Sequence, residues 1–218
     1  MKFKFLLLVL LCQIAEAAPC CGSNSAAPAI ITGDDRAQIS VTGSRATVIG
    51  DAPESGLPVF RTKNHNEVMQ TLKLEGASLI TDRWQAGASV PFVQRSLSRT
   101  GPNTQATQYT NLGDVKLSTS YEILPEWSYS AWRPKGFSFL QLTLPTGRSI
   151  YNAKSVTAVD ATGLGFFSLA TGTFLQKRWS LWDVYVLPEI HYSMPRIFQN
   201  EESTKVTPGW GTSLALGA

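Results

Sequence analysis

The chain has 218 residues, of which 43% are hydrophobic and only 16% charged, with a formal net charge of +3 and a mean hydropathy of −0.04. Soluble domains carry roughly 25% charged residues, so charge is scarce here; so weak a positive balance says nothing about nucleic acid, and with no basic patch no nucleic-acid partner is expected. No segment is apolar over the roughly 20 residues that a membrane-spanning helix needs, which excludes a helical bundle.

The N-terminus reads as an export signal. Lys2 and Lys4 form a positive start, Phe5 to Leu11 is an unbroken apolar core, and Ala15-Glu16-Ala17 places small residues where a signal peptidase reads them. Residues 1–17 are therefore expected to be a signal peptide. Residues 18–36 follow as a flexible periplasmic lead, rich in Ala, Ser, Gly and Pro as far as Gly33. Cys20 and Cys21 are the only thiols left after cleavage. Neighbouring cysteines can join only through a strained ring, and no His or carboxylate beside them completes a metal site.

From Ala37 onward the pattern has a period of two, the signature of a strand with unlike faces. Strand one is expected over Ala37 to Ile49, with Ile39, Val41 and Gly43 on one face. Strand two covers Glu67 to Ile80, where Leu72, Leu74 and Ile80 oppose Thr71, Lys73 and Glu75. Thr81 and Asp82 make a tight hairpin into strand three, Arg83 to Val93, whose Trp84, Ala86, Ala88, Val90 and Phe92 oppose Arg83, Gln85, Gly87 and Ser89. Strand four, Asp114 to Leu124, sets Val115, Leu117, Tyr121 and Ile123 against Lys116, Ser118, Ser120 and Glu122. Strand five, Gly136 to Leu144, opposes Leu140, Leu142 and Leu144 to Phe139, Gln141 and Thr143. Strand six, Gly163 to Gln176, is the least regular. Strand seven, Trp182 to Tyr192, turns Val184, Val186 and Ile190 away from Asp183, Glu189 and His191. Strand eight runs from Lys205 to the end of the chain.

The connections alternate too. Long polar ones are expected at Gly50 to Asn66, Ser96 to Asn111, Thr146 to Thr162 and Met194 to Thr204, with shorter joints between them. Outer-membrane barrels alternate long outer loops with short periplasmic turns, and a soluble sandwich has no reason to do so. The aromatic residues Trp84, Tyr121, Trp127, Tyr129, Trp132, Trp179 and Trp182 gather near the short joints, as an interfacial girdle would. The predicted fold is an all-β, antiparallel up-and-down transmembrane β-barrel over residues 37–218. A charge facing lipid at mid-membrane costs roughly 2–4 kcal/mol, so Lys73, Glu75, Arg83, Lys116, Glu122, Asp183, Glu189 and His191 are the expected lumen-lining residues.

Three short stretches carry a family resemblance. Leu112-Gly113-Asp114-Val115-Lys116-Leu117, followed by Tyr121, resembles a recurring Gly-Asp strand start. Leu142-Thr143-Leu144-Pro145-Thr146-Gly147 resembles the end of the next outward strand, and Ala161-Thr162-Gly163-Leu164-Gly165 a glycine-rich re-entry from a long loop. Together, over Asp82 to Lys177, they are similar to outer-membrane proteins grouped as transporters of the meta-pathway of phenol degradation. The resemblance implies a membrane barrel passing small, aromatic solutes and brings no catalytic residues with it. One departure is the final Leu216-Gly217-Ala218, where such barrels finish on an aromatic residue. About eight strands are present, and the expectation is a chain incomplete at its C-terminus, part of a larger barrel of about twelve strands.

The functional expectation is a passive outer-membrane channel or transporter for small solutes, with the outer-membrane lipid and the barrel insertion machinery as partners. The alternative is a non-transporting surface barrel or adhesin that displays its long loops. Neither a Gly-x-Ser-x-Gly elbow, a His-Glu-x-x-His helix nor a phosphate-cradling loop occurs, so no enzyme, cofactor or metal is expected. Asp183, Glu189 and His191 share one face, a pattern that polarises a barrel interior more often than it performs acid–base chemistry.

Overall fold

A computed structural model describes residues 28–51, 57, 59–60, 65–99, 106–126, 130–155, 157–199 and 203–217. The expected signal peptide, Cys20, Cys21, Trp127 and Tyr129 lie outside the described residues. The chain is all-β, 67% strand and 2% helix. Its elements are β1 (Ala37–Val48), β2 (Gly50–Asp51), β3 (Val59–Phe60), β4 (His65–Leu79), β5 (Trp84–Arg99), β6 (Ala106–Leu112), β7 (Val115–Leu124), β8 (Lys135–Leu144), a 3-10 turn (Ile150–Asn152), β9 (Ser168–Arg178), β10 (Asp183–Ser193), β11 (Arg196–Gln199), β12 (Ser203–Val206) and β13 (Gly209–Gly217).

Eight of these strands pair in the order β1-β4-β5-β7-β8-β9-β10-β13, with β6 also on β5, and every pairing is antiparallel. The result is an up-and-down sheet curved into a half-barrel. The strand ends that the four long connections join lie at one end of it, and those that the short joints at 80–83, 125–134 and 179–182 join lie at the other.

The period of two becomes two unlike faces. Leu72, Phe92, Leu117, Leu140, Ile190 and Leu214 stand on the convex side, each 42–64% exposed. Their sequence neighbours turn inward: Gln85 and Ser89 on β5, Ser120 on β7, Gln141 on β8 and Glu189 and His191 on β10 are all buried. The concave side also holds an apolar patch, where Phe137, Phe139 and Leu187 are at most 2% exposed.

Curvature crowds this inner side, and small residues on adjacent strands make the room. Phe139 is paired directly with Gly172 and His191 with Gly211. A Cβ at Gly172 would lie 2.6 Å from the Phe139 ring, and one at Gly211 would lie 2.3 Å from His191 Nε2. Each ring thus covers a glycine of the neighbouring strand. The inner face of β13 (Gly209, Gly211, Ser213, Ala215 and Gly217) is small throughout for the same reason.

Three sequence expectations are corrected. Ser96 to Asn111 is not all loop: β5 continues to Arg99, and β6 pairs with it from Ala106. Strand six starts at Ser168 rather than Gly163, because 163–167 belongs to the loop latch described below. Strand eight starts at Gly209; Lys205 and Val206 sit instead in a separate hairpin, β11–β12, where Arg196 pairs with Val206. Period alone does not register a hairpin folded back on itself from a strand that runs on.

Gly211→Ala is expected to destabilise the folded chain by about 1–3 kcal/mol, because the new methyl must displace the imidazole. Adding His191→Ala should remove most of that penalty, so a double-mutant cycle by urea unfolding in detergent should show strong coupling. Additive effects would refute the contact.

Candidate functional site: the concave face and its infolded loop

The eight predicted lining residues separate into two groups. Lys73, Glu75, Lys116, Glu189 and His191 lie on the concave face of β4, β7 and β10. Lys73 Nζ is 2.9 Å from Glu75 Oε2, and the charge of Lys116 interacts with Glu189, Lys73, Glu75 and Asp114. His191 Nδ1 stands 3.5 Å from Glu189 Oε1, both side chains nearly enclosed. Arg83, Glu122 and Asp183 gather instead near the short joints. Glu122 faces Lys135 Nζ at 3.5 Å, and Asp183 accepts hydrogen bonds from Gln176 Nε2 and from the Arg178 guanidinium. Arg83 accepts from the Glu122 amide through its carbonyl, beside the Trp84–Tyr121 ring pair.

Asp183 and Glu189 are six positions apart on one strand, roughly 20 Å at 3.3 Å per residue. Asp183, Glu189 and His191 therefore form no acid–base constellation. What the arrangement produces is partial compensation: Lys73 pairs with Glu75 and Glu122 with Lys135, while Oε2 of the buried Glu189 has no hydrogen-bond partner.

The long-loop end holds a structure that periodicity did not announce. Residues 145–155 and 157–167 fold back over the concave side and are tied down by the motif residues that carry the family resemblance. Asp114, at the entry to β7, accepts from the Gly147 amide at 3.0 Å through Oδ1 and from the Leu164 amide at 2.7 Å through Oδ2. Thr146 Oγ1 donates to the Gly113 carbonyl at 2.6 Å and accepts from the Val115 amide at 3.0 Å. Thr162 Oγ1 donates to the Leu112 carbonyl at 2.7 Å. The two loop ends pass so closely that a Cβ on Gly147 would lie 2.8 Å from Gly163 Cα, and one on Gly163 would lie 2.4 Å from Asp114 Oδ1. Three motifs spread over more than fifty residues of sequence are thus one knot in space.

Within the loop, Asp160 accepts from the amides of Lys154 and Ser155 and from Arg148 Nη1, at 2.8, 3.2 and 2.9 Å. Arg95, on the concave side of β5, donates to the carbonyls of Ala158 and Ala161 and pairs with Glu67. Tyr151 and Phe166 of the loop meet Phe198 of β11, Tyr151 stacked on it at 4.8 Å and Phe166 edge-on at 5.4 Å, which joins the loop to the β11–β12 hairpin. Gly165 adopts φ +81° here, and a Cβ would collide with Ser149 at 2.5 Å. Glu67, Arg95, Arg148 and Asp160 escaped the sequence reading because their pairings, Glu67 with Arg95 across two strands and Arg148 with Asp160 within an irregular loop, follow no local period.

No family model matches the chain, and no curated protein matches it.

Asp114→Ala should strip two backbone amides of their acceptor and favour opening of the loop by about 1–3 kcal/mol, seen as faster proteolytic cleavage within 146–163 at unchanged strand content. Burial would raise the Asp160 carboxyl, but the Lys154 amide, the Arg148 guanidinium and the Ser155 amide outweigh it and hold it below its ordinary range. A lowered value means that its contribution is complete above the unfolded value of about 3.9 and is lost as pH falls through the folded one. Hydrogen exchange over 146–163, corrected for intrinsic rates, should therefore stay constant from pH 7 to about pH 4 and rise below it. Asp160→Asn should abolish that pH dependence.

Proposed function

We propose that the chain forms the wall of an outer-membrane β-barrel through which small solutes, apolar or aromatic in character, pass. The carrying observation is the convex face: Leu72, Leu74, Phe92, Leu117, Leu140, Leu169, Ile190 and Leu214 are exposed on one side of a continuous sheet whose other side is polar. Soluble monomers rarely expose a contiguous apolar surface of this extent, and hydrocarbon is the solvent that rewards it. The long loops at one end, the short joints at the other and the N-terminal signal support export to that membrane. The three-motif resemblance supports the transporter assignment.

The balanced ion pairs on the concave face suit solutes selected by size and polarity rather than by net charge. The infolded loop 145–167 lies where such a path would begin, so its width and polarity would set what enters. One observation favours the second reading, a non-transporting surface barrel: Phe137, Phe139 and Leu187 fill part of the interior. Conductance separates the two, because a plugged structural barrel carries no current in any form.

Leu117→Arg should destabilise the membrane-inserted chain by about 2–4 kcal/mol, whereas Ser40→Arg on the concave side should cost far less. Folding into lipid vesicles followed by urea titration reads both. A chain found in the periplasmic fraction without detergent, with the two arginines equally tolerated, would overturn the membrane reading. Planar-bilayer recordings that stay silent in the whole protein and in every variant of it would overturn transport.

A further inference from the structure

The N-terminal lead enters the concave side rather than leaving the sheet. Ile31 is only 3% exposed, and its backbone is held on both sides by one side chain: its amide donates to Gln85 Oε1 at 2.7 Å, and its carbonyl accepts from Gln85 Nε2 at 3.3 Å. A carboxamide that gives and takes at the same residue substitutes for a peptide unit of a neighbouring strand. Gln85 is itself 1% exposed on the sheet's inner face near its short-joint end, where a buried polar side chain is tolerated only if both of its ends are satisfied.

Other groups serve the same contact. Lys135 Nζ donates to the Thr32 carbonyl at 2.8 Å. A Cβ on Gly87, two residues along β5 on the same face, would lie 3.3 Å from the Ala29 carbonyl, so the bare backbone there lets the lead run close. The lead also spans the concavity. With Gln38, Ser40 and Glu75 of β1 and β4 on one side, and Phe174 and Gln176 of β9 on the other, it borders an open cavity of about 290 Å³.

We infer that residues 28–33 are a gate: docked on Gln85, they block the solute path along the concave face, and their release opens it. This rests on the transport reading above. The contacts suit a reversible device. They are backbone hydrogen bonds to neutral Gln85 and to one lysine, with two apolar residues, Pro28 and Ile31, buried, so the docked state is strong enough to be populated and weak enough to be left. Loss of two neutral hydrogen bonds shifts such an equilibrium by about tenfold or more.

The test uses the full mature chain with Cys20→Ser and Cys21→Ser, so that an introduced Ile31→Cys is its only thiol. In vesicles, this cysteine should be protected from a small charged thiol reagent, and adding Gln85→Ala should speed labelling by about tenfold or more. Single-channel conductance should rise several-fold both for Gln85→Ala and for deletion of residues 28–33. Equal labelling with and without Gln85 would show that the lead does not dock. A freed lead with wild-type conductance would show that it docks without gating, and either result overturns the inference. Silence in every variant, the deletion included, overturns the transport reading instead and takes the gate with it.

Discussion

Everything in this molecule follows from one geometric constraint. A curved antiparallel sheet sends alternate side chains to a convex and a concave surface, and those surfaces differ in both solvent and space. Outward residues diverge and can be large, so Trp84, Phe92, Leu117, Leu140 and Trp210 stand free on the convex side. Inward residues converge, so each large ring needs a small partner. Phe139 over Gly172 and His191 over Gly211 are that requirement met across a strand pair. Glycine, costly in an ordinary strand, is here the residue that lets curvature and a filled interior coexist.

The same inward convergence governs the charges. An ionic group on the concave face is partly desolvated, and an unpaired one would cost several kilocalories per mole. The chain answers with local pairs: Lys73 with Glu75 on one strand, Glu122 with Lys135 across two, Glu67 with Arg95 across two. Lys116 lies within the field of Glu189 and Glu75. The consequence is a concave face that is polar and whose charges are largely paired.

Two segments outside the strands lie on the concave side, and both are held through backbone polar groups. The loop 145–167 is anchored by the Asp114 carboxylate and by the hydroxyls of Thr146 and Thr162. The lead is anchored by the Gln85 carboxamide. In each case a side chain with more than one hydrogen-bonding site satisfies peptide groups that would otherwise be stranded near a protein surface. This is how a sheet can carry irregular chain on its inside without an energetic penalty that would expel it.

The strands and their facing were legible in the sequence because a period of two is local: Arg83 to Val93 states its two faces without reference to any partner. Long and short joints were legible for the same reason, although β6 and the β11–β12 hairpin were not, since a loop that folds back pairs through its backbone and needs no alternation. Lys73, Glu75 and Lys116 could be placed inward by parity alone. Their companions could not, because the Arg95 contacts to Ala158 and Ala161, the grip of Asp114 on Gly147 and Leu164, and the capture of Ile31 by Gln85 join residues 33 to 66 positions apart. The sequence by itself determined which side chains share a face. Only the tertiary structure decided which of them meet, because curvature, register and the return of the loops bring together groups that no local pattern relates.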